Sequence, residues 1–134
     1  MNRIASFAAT VAVAAFAAFP VSGQSSDSTG FGDASKIQSK DGAGIYAAIC
    51  RGCHMPEGVG AVGAGKYPAL AKNENLEAGA YPVFLVVNGQ KAMPPLGSYL
   101  DDEQVAAVVK YIRANFGNNY TDAVTVEDVQ AARP

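Results

Sequence analysis

Five consecutive residues, Cys50-Arg51-Gly52-Cys53-His54, constrain this chain more than any other feature. Two thiols three positions apart, followed at once by an imidazole, offer three bonds to one haem: a thioether from each sulfur and a nitrogen on the iron. The C-x-x-C-H spacing is read as a covalent haem attachment site. So short a match can arise by chance. The rest of the chain has to supply a second iron ligand, an oxidising destination and suitable helices.

The N-terminus supplies the destination. Arg3 gives a short basic region, residues 4–19 are almost wholly apolar, and Val21-Ser22-Gly23 is a small-residue cleavage site before polar Gln24. This pattern predicts a cleaved signal peptide over residues 1–23, because an apolar run this short with a polar flank is not a membrane span. The expected location is the periplasm, with no stable membrane span after cleavage. No Cys follows the apolar run, which argues against a lipid anchor. What remains is one domain by length. Removing Arg3 takes the 10 basic residues to 9 against 12 acidic, so the charge falls one below the −2 of the full chain. There is no basic stripe for nucleic acid. The chain has no Trp, and a domain this small buries a thin core and often needs a staple. A covalently held macrocycle would provide that apolar centre.

Residues 24–40, rich in Ser, Gly, Asp and Lys, read as a flexible linker. A first helix is expected from Gly42 to about Arg51, with Asp41 as N-cap and Ile45, Tyr46 and Ile49 forming the apolar face that delivers Cys50. Gly58, Gly60, Gly63 and Gly65 rule out a helix and suit a loop bent tightly around a ligand. Without a Gly-Lys-Ser/Thr ending the run is a poor phosphate cradle. Val83 to Val87 reads locally as a buried strand. However, Pro82 suits a first helical turn, Asn88-Gly89 suits a helical stop, and no second strand stands nearby, so a helix is predicted. The last long helix has a capping-box signature in Asp101 and Gln104, and Val105, Val108, Val109, Ile112 and Phe116 share one face before Gly117 ends it. In the tail, residues 118–134, Thr125 can cap a short helix over 126–132. The tail's Asp122, Glu127 and Asp128, against Arg133 alone, leave it either a docking segment or a loose end.

The chain has one His, and besides Met1 two Met, Met55 and Met93. Met55 adjoins His54 on the same side of a ring that His54 would ligate, so geometry removes it. Met93 stands before Pro94-Pro95, which deny the backbone a helix and hold it extended. A Met in such a stiff polar loop makes a poor core residue and a good axial thioether. The metal ligands are therefore expected to be His54 and Met93.

With these residues in place the chain resembles a class I cytochrome c over about residues 41–117. Cys50, Cys53 and His54 match the attachment motif, and Met93 in its Met-Pro setting matches the distal ligand. The resemblance implies an all-α fold of three to five helices wrapped around one covalently bound haem c. It implies that Gly42 and Tyr46 cross the last helix near Val108, Tyr111 and Ile112. It further implies that the Pro68 carbonyl accepts from the His54 ring, and that Leu70 lines the haem pocket. The segments Tyr67-Pro68-Ala69-Leu70 and Tyr81-Pro82-Val83 and the tail are similar to haem domains in cytochrome subunits of bacterial periplasmic alcohol and aldehyde dehydrogenases. Those subunits often carry several haems, and this chain has one motif.

Other chemistries fit less well. Disulfide exchange needs a βαβ context, a zinc site needs a fourth N or S ligand, and a Cys50–Cys53 disulfide would close too small a loop to stabilise much. A haem enzyme needs an open iron position, which Met93 would fill. The expected function is one-electron transfer rather than catalysis. A periplasmic dehydrogenase is the expected donor and a terminal oxidase or another cytochrome the acceptor. The alternative is a tightly bound subunit of a quinoprotein, a flavoprotein of the alkylphenol hydroxylase type or a molybdenum dehydrogenase. Lys66, Lys72 and Lys91 lie on the flanking segments and are either a steering patch or ordinary solvated surface.

Overall fold

Asp41 opens the first helical stretch: its carboxylate accepts from the Gly44 N–H at 2.8 Å, as the sequence predicts. The computed structural model describes residues 37–63 and 65–134. The expected signal peptide and residues 24–36 of the expected linker lie outside the described residues. Three segments then follow without a break: α1 (Gly42–Ile45), a π-helical turn (Tyr46–Cys50) and α2 (Arg51–His54). The stretch thus ends at the imidazole rather than at Arg51. Its wide middle turn has no signature in residue type and was not foreseen.

The apolar run after Pro82 is helical. In α3 (Ala80–Asn88) Pro82, Val83, Val86 and Val87 are buried while Phe84 is exposed, a spacing of three to four rather than alternation. Gly89 stops the helix at φ 71, an angle that suits glycine. A single 3-10 turn (Glu74–Leu76) precedes it, capped by Asn73. In α4 (Asp102–Ala114) the Asp101–Gln104 capping box is closed in both directions. Val105, Val108, Val109 and Ile112 are all buried along its inner face. The helix stops at Ala114, short of Phe116 and Gly117. Thr125 and Asp128 form a second capping box at the start of α5 (Val126–Ala132).

One glycine sets the central crossing. A Cβ on Gly42 would lie 2.3 Å from the Ala107 carbonyl oxygen and 2.5 Å from Tyr111 Cβ, so the α1 backbone rests directly on α4. Tyr46 continues the contact, its ring 5.7 Å from Tyr111 and 4.9 Å from Phe116. The close approach is made at Ala107 and Tyr111. Val108 and Ile112, also expected there, belong to the shared core.

The glycine-rich segment holds a small antiparallel pair, β1 (Ala61–Val62) and β2 (Lys66–Tyr67), with Ala61 opposite Tyr67 and Val62 opposite Lys66. The all-helical expectation overlooked it, because glycines on both sides of a two-residue strand erase any alternation. The class remains helical, with this hairpin as an appendage.

Residues 118–134 are part of the core. Val124 and Val129 are buried. The Arg113 side chain, 0% exposed, donates to the carbonyls of Leu76, Glu77 and Asp122 at 2.8, 2.7 and 3.0 Å and to the Asp122 carboxylate at 2.5 Å. That bond with Arg113 holds the Asp122 carboxyl below its usual range. Arg133 pairs with Asp102 at 2.7 Å. Two of the tail's charges, Asp122 and Arg133, are thus paired within the molecule, while Asp122, Glu127 and Asp128 remain exposed.

Candidate haem site

The π turn and α2 carry the thiols to the surface one helical turn apart, Cys50 half-buried and Cys53 exposed, both free. Burial, and then the neighbouring Cys53, push the Cys50 thiol up to about 12. It is therefore neutral at physiological pH. A disulfide exchanger needs the opposite, a thiolate stabilised well below the ordinary thiol value.

His54 ends α2, and the chain reverses at once. Met55 stands at φ 66 and ψ 160, a region almost reserved for glycine, at a cost on the order of 1–3 kcal/mol. The surroundings enforce it. The Met55 carbonyl accepts from the Tyr46 hydroxyl at 2.7 Å and from the Gly58 N–H at 3.0 Å, and the His54 carbonyl accepts from the Gly60 N–H at 3.1 Å. Burial above all raises the Tyr46 phenol to about 12, so it remains a donor.

The imidazole is aimed by the next loop. His54 Nδ1 lies 2.9 Å from the Pro68 carbonyl oxygen. With that nitrogen donating, Nε2 is left with its lone pair for a metal. Gly60 makes the contact possible: a Cβ there, at φ 68, would lie 2.3 Å from the Tyr67 carbonyl oxygen and 2.8 Å from the Pro68 carbonyl carbon. The hairpin therefore folds down on Gly60 and presents Pro68 to His54. Leu70, half-buried, is held by its N–H to the Gly58 carbonyl at 2.7 Å and by its carbonyl to Asn118 Nδ2 at 2.8 Å.

Met93 sits in a tight turn, exchanging backbone bonds with Gln90 at 3.0 and 2.9 Å. Gly89 seats that turn, since a Cβ on it would meet the Met93 carbonyl oxygen at 2.6 Å. Met93, Leu70, Ile49 and Cys50 all pack partly buried against the one core cluster. His54 and Pro68 are in direct contact, whereas Met93 packs against the core cluster.

These residues fit an apolar, covalently tethered macrocycle. There are two free thiols, one imidazole with a committed Nδ1 and one thioether. Apolar surface also stands open on the loop that clasps His54, where Val62 is 84% and Val59 59% exposed. Exposure of that size invites cover. The sequence pointed to the ligating types and, through the family resemblance, to Pro68; it offered Gly60 only as part of a bent loop and Gly89 only as a helical stop, and it did not point to Asn118. The close approaches of Gly60 and Gly89 had one visible signal, their place in glycine-bearing turns.

Comparison with known proteins gives the same answer. Residues 38–112 match the family model described as "Cytochrome C oxidase, cbb3-type, subunit III". Cytochrome c6 of Microcystis aeruginosa is 37% identical over 78 residues, which span 93% of that protein. The chain belongs to the class I cytochromes c. It is also 31% identical over 109 residues to the cytochrome c subunit of the quinone alcohol dehydrogenase of Gluconobacter oxydans. The gluconate 2-dehydrogenase cytochrome c subunit of Pantoea cypripedii is 34% identical over 107 residues. The matched regions are 22% and 24% of those two subunits, so this cytochrome spans only about a quarter of either. As a member of the family it carries covalently bound haem c, and its single Cys pair accounts for one group. Among the described residues no helix is long and apolar enough to cross a membrane.

Proposed function

We propose that this cytochrome is an exported one-electron carrier. In this reading Cys50 and Cys53 would tether the haem, and His54 and Met93 would hold its iron. The His54–Pro68 bond of 2.9 Å carries the reading, because it fixes the ring and leaves Nε2 as the coordinating nitrogen. The bound haem supplies a single iron that cycles between two oxidation states, and histidine–methionine ligation sets a relatively high potential.

The protein keeps the geometry alike in both states. Gly60, Pro68 and Tyr46 lock the His54 side through backbone bonds, while Gly89 and the prolines after Met93 restrict the opposite loop. With His54 and Met93 both holding the iron, no place would be left for a substrate, which separates a carrier from a haem enzyme. Leu70 and the apolar Val59 and Val62 would exclude water near the group.

The N-terminal apolar run with its small-residue cleavage site supports export to the periplasm. The dehydrogenase names of the relatives support a dehydrogenase as donor, and we take it to be periplasmic, with a terminal oxidase or another cytochrome as acceptor. Whether as a free carrier or as a bound subunit, the chain's role at the iron is the same. The test is spectroscopic. The oxidised protein should show the weak red-edge band of thioether-to-iron ligation, and Met93→Ala should abolish it and let carbon monoxide bind the ferrous form. A wild-type protein that binds carbon monoxide readily at neutral pH would refute the six-coordinate carrier. Co-purification of the native protein with a dehydrogenase activity, followed by gel filtration, distinguishes a bound subunit from a free carrier.

A further inference from the structure

The loop that carries Met93, residues 89–97, is held at both ends by the last helix of the chain. On the entering side, Asn88 Nδ2 donates to the Ala132 carbonyl at 2.9 Å. On the leaving side, Arg133 Nη1 donates to the Gly97 carbonyl at 2.5 Å and Nη2 to the Leu100 carbonyl at 3.0 Å. The third arm of the same guanidinium, Nε, reaches the Asp102 carboxylate at 2.7 Å, which sets the fork's orientation. The helix that delivers these groups is itself well seated, with its Thr125–Asp128 box closed and Val129 fully buried.

The loop is also tied to α3 and to the segment after it: the Gly89, Leu96 and Gly97 N–H groups donate to the Leu85, Val86 and Val87 carbonyls at 2.9, 2.9 and 3.1 Å, and the buried Leu96 accepts at its carbonyl from Tyr99 and Leu100. Between Gly89 and Leu96 the backbone bonds are the Gln90–Met93 exchange alone. Pro94 and Pro95 have no N–H to contribute. Lys91, at φ 55, holds a left-handed backbone angle that a free loop would leave.

We propose that α5 is a staple that positions Met93, with Arg133 and Asn88 as its positioning residues. The proposal rests on Met93 being the distal ligand. A thioether is a single neutral donor on a loop, so its hold depends on how many conformations the loop surrenders on binding. Pinning both ends removes most of them beforehand. Arginine suits the task because one planar fork reaches two carbonyls and a carboxylate, which a lysine cannot do.

The experiment follows two signals in the oxidised, haem-loaded full chain as guanidinium is raised. The red-edge band reports the thioether bond, and far-ultraviolet circular dichroism reports the helices. In the wild type both should be lost at one midpoint. In Arg133→Ala the band should disappear at a clearly lower concentration than the helices, and carbon monoxide should bind the ferrous form in that interval. If Arg133→Ala shifts both midpoints down together, Arg133 is general mortar and the staple is overturned. Should that variant fail to accumulate with haem, Arg133→Lys keeps the charge beside Asp102 and gives up the fork. Separated midpoints then support the staple, and coincident ones overturn it. Met93→Ala distinguishes the two assignments. A band that survives this substitution removes Met93 as ligand and the staple with it; a band lost there with coincident midpoints in the Arg133 variants removes the staple alone.

Discussion

The two proposed iron ligands are held in different ways. His54 is placed by its own neighbourhood: a helix that ends on it, a forced turn at Met55, and a carbonyl only 14 positions along the chain. Met93 depends on residues far away, because the ends of its loop are bonded to positions 33 to 44 residues distant. One side should therefore survive while the rest loosens. The other should report the integrity of the whole molecule.

The largest effect expected is from Cys50→Ser combined with Cys53→Ser. Without thioethers the thin core loses its tethered centre, and intact-protein mass spectrometry should show no haem increment. Retention of a covalent increment in the double variant would remove the basis for both sides of the comparison. Next in size is Arg113→Met, which leaves three carbonyls without their donor and should cost ~3 kcal/mol in chemical denaturation. If the contrast is right, the thioether band should weaken in this variant while the His54 side holds.

Gly60→Ala tests the local side. It combines a left-handed angle with a Cβ 2.3 Å from a backbone oxygen, for a loss of about 2 kcal/mol. The His54 ring resonances in nuclear magnetic resonance spectra of the reduced protein should move, with the Met93 signals little changed. The mirror result would reverse the assignment of local and distant control.

The smallest effect concerns pH. The bond with Arg113 holds the Asp122 carboxyl below the ordinary carboxylate range, so its contribution is complete at and above that range. It is lost as pH falls through the lower, folded-state value. Asp122→Asn should flatten the acid limb of the stability curve below about pH 4 and leave neutral pH less affected. An acid limb identical to wild type would show that the Arg113 contact draws on the Asp122 carbonyl alone.

The same contrast explains what could be read from the residues beforehand. The attachment motif, the Met-Pro-Pro loop, the Asp101–Gln104 capping box, the Thr125 cap and the helical reading of Val83–Val87 rest on neighbours a few positions apart, and these were legible. The hairpin was not, because glycine carries no pattern. Arg113 was not either: arginine is seldom fully buried, and its partners lie as far as 37 positions away. Arg133 looked like a lone charge in an acidic tail, since nothing local says that Asp102 and two carbonyls wait for it.

The π turn at Tyr46–Cys50 joins these two kinds of control. Residues before it face the crossing with α4, and residues after it face outward toward the attachment site. A regular helix advances about 100° per residue, so excising one position here would restore ordinary winding. It would also swing Cys53 and His54 away from Pro68 or prise Gly42 off Ala107. The segment can thus accept exchanges at the exposed Ala47 and Ala48, but its length is fixed.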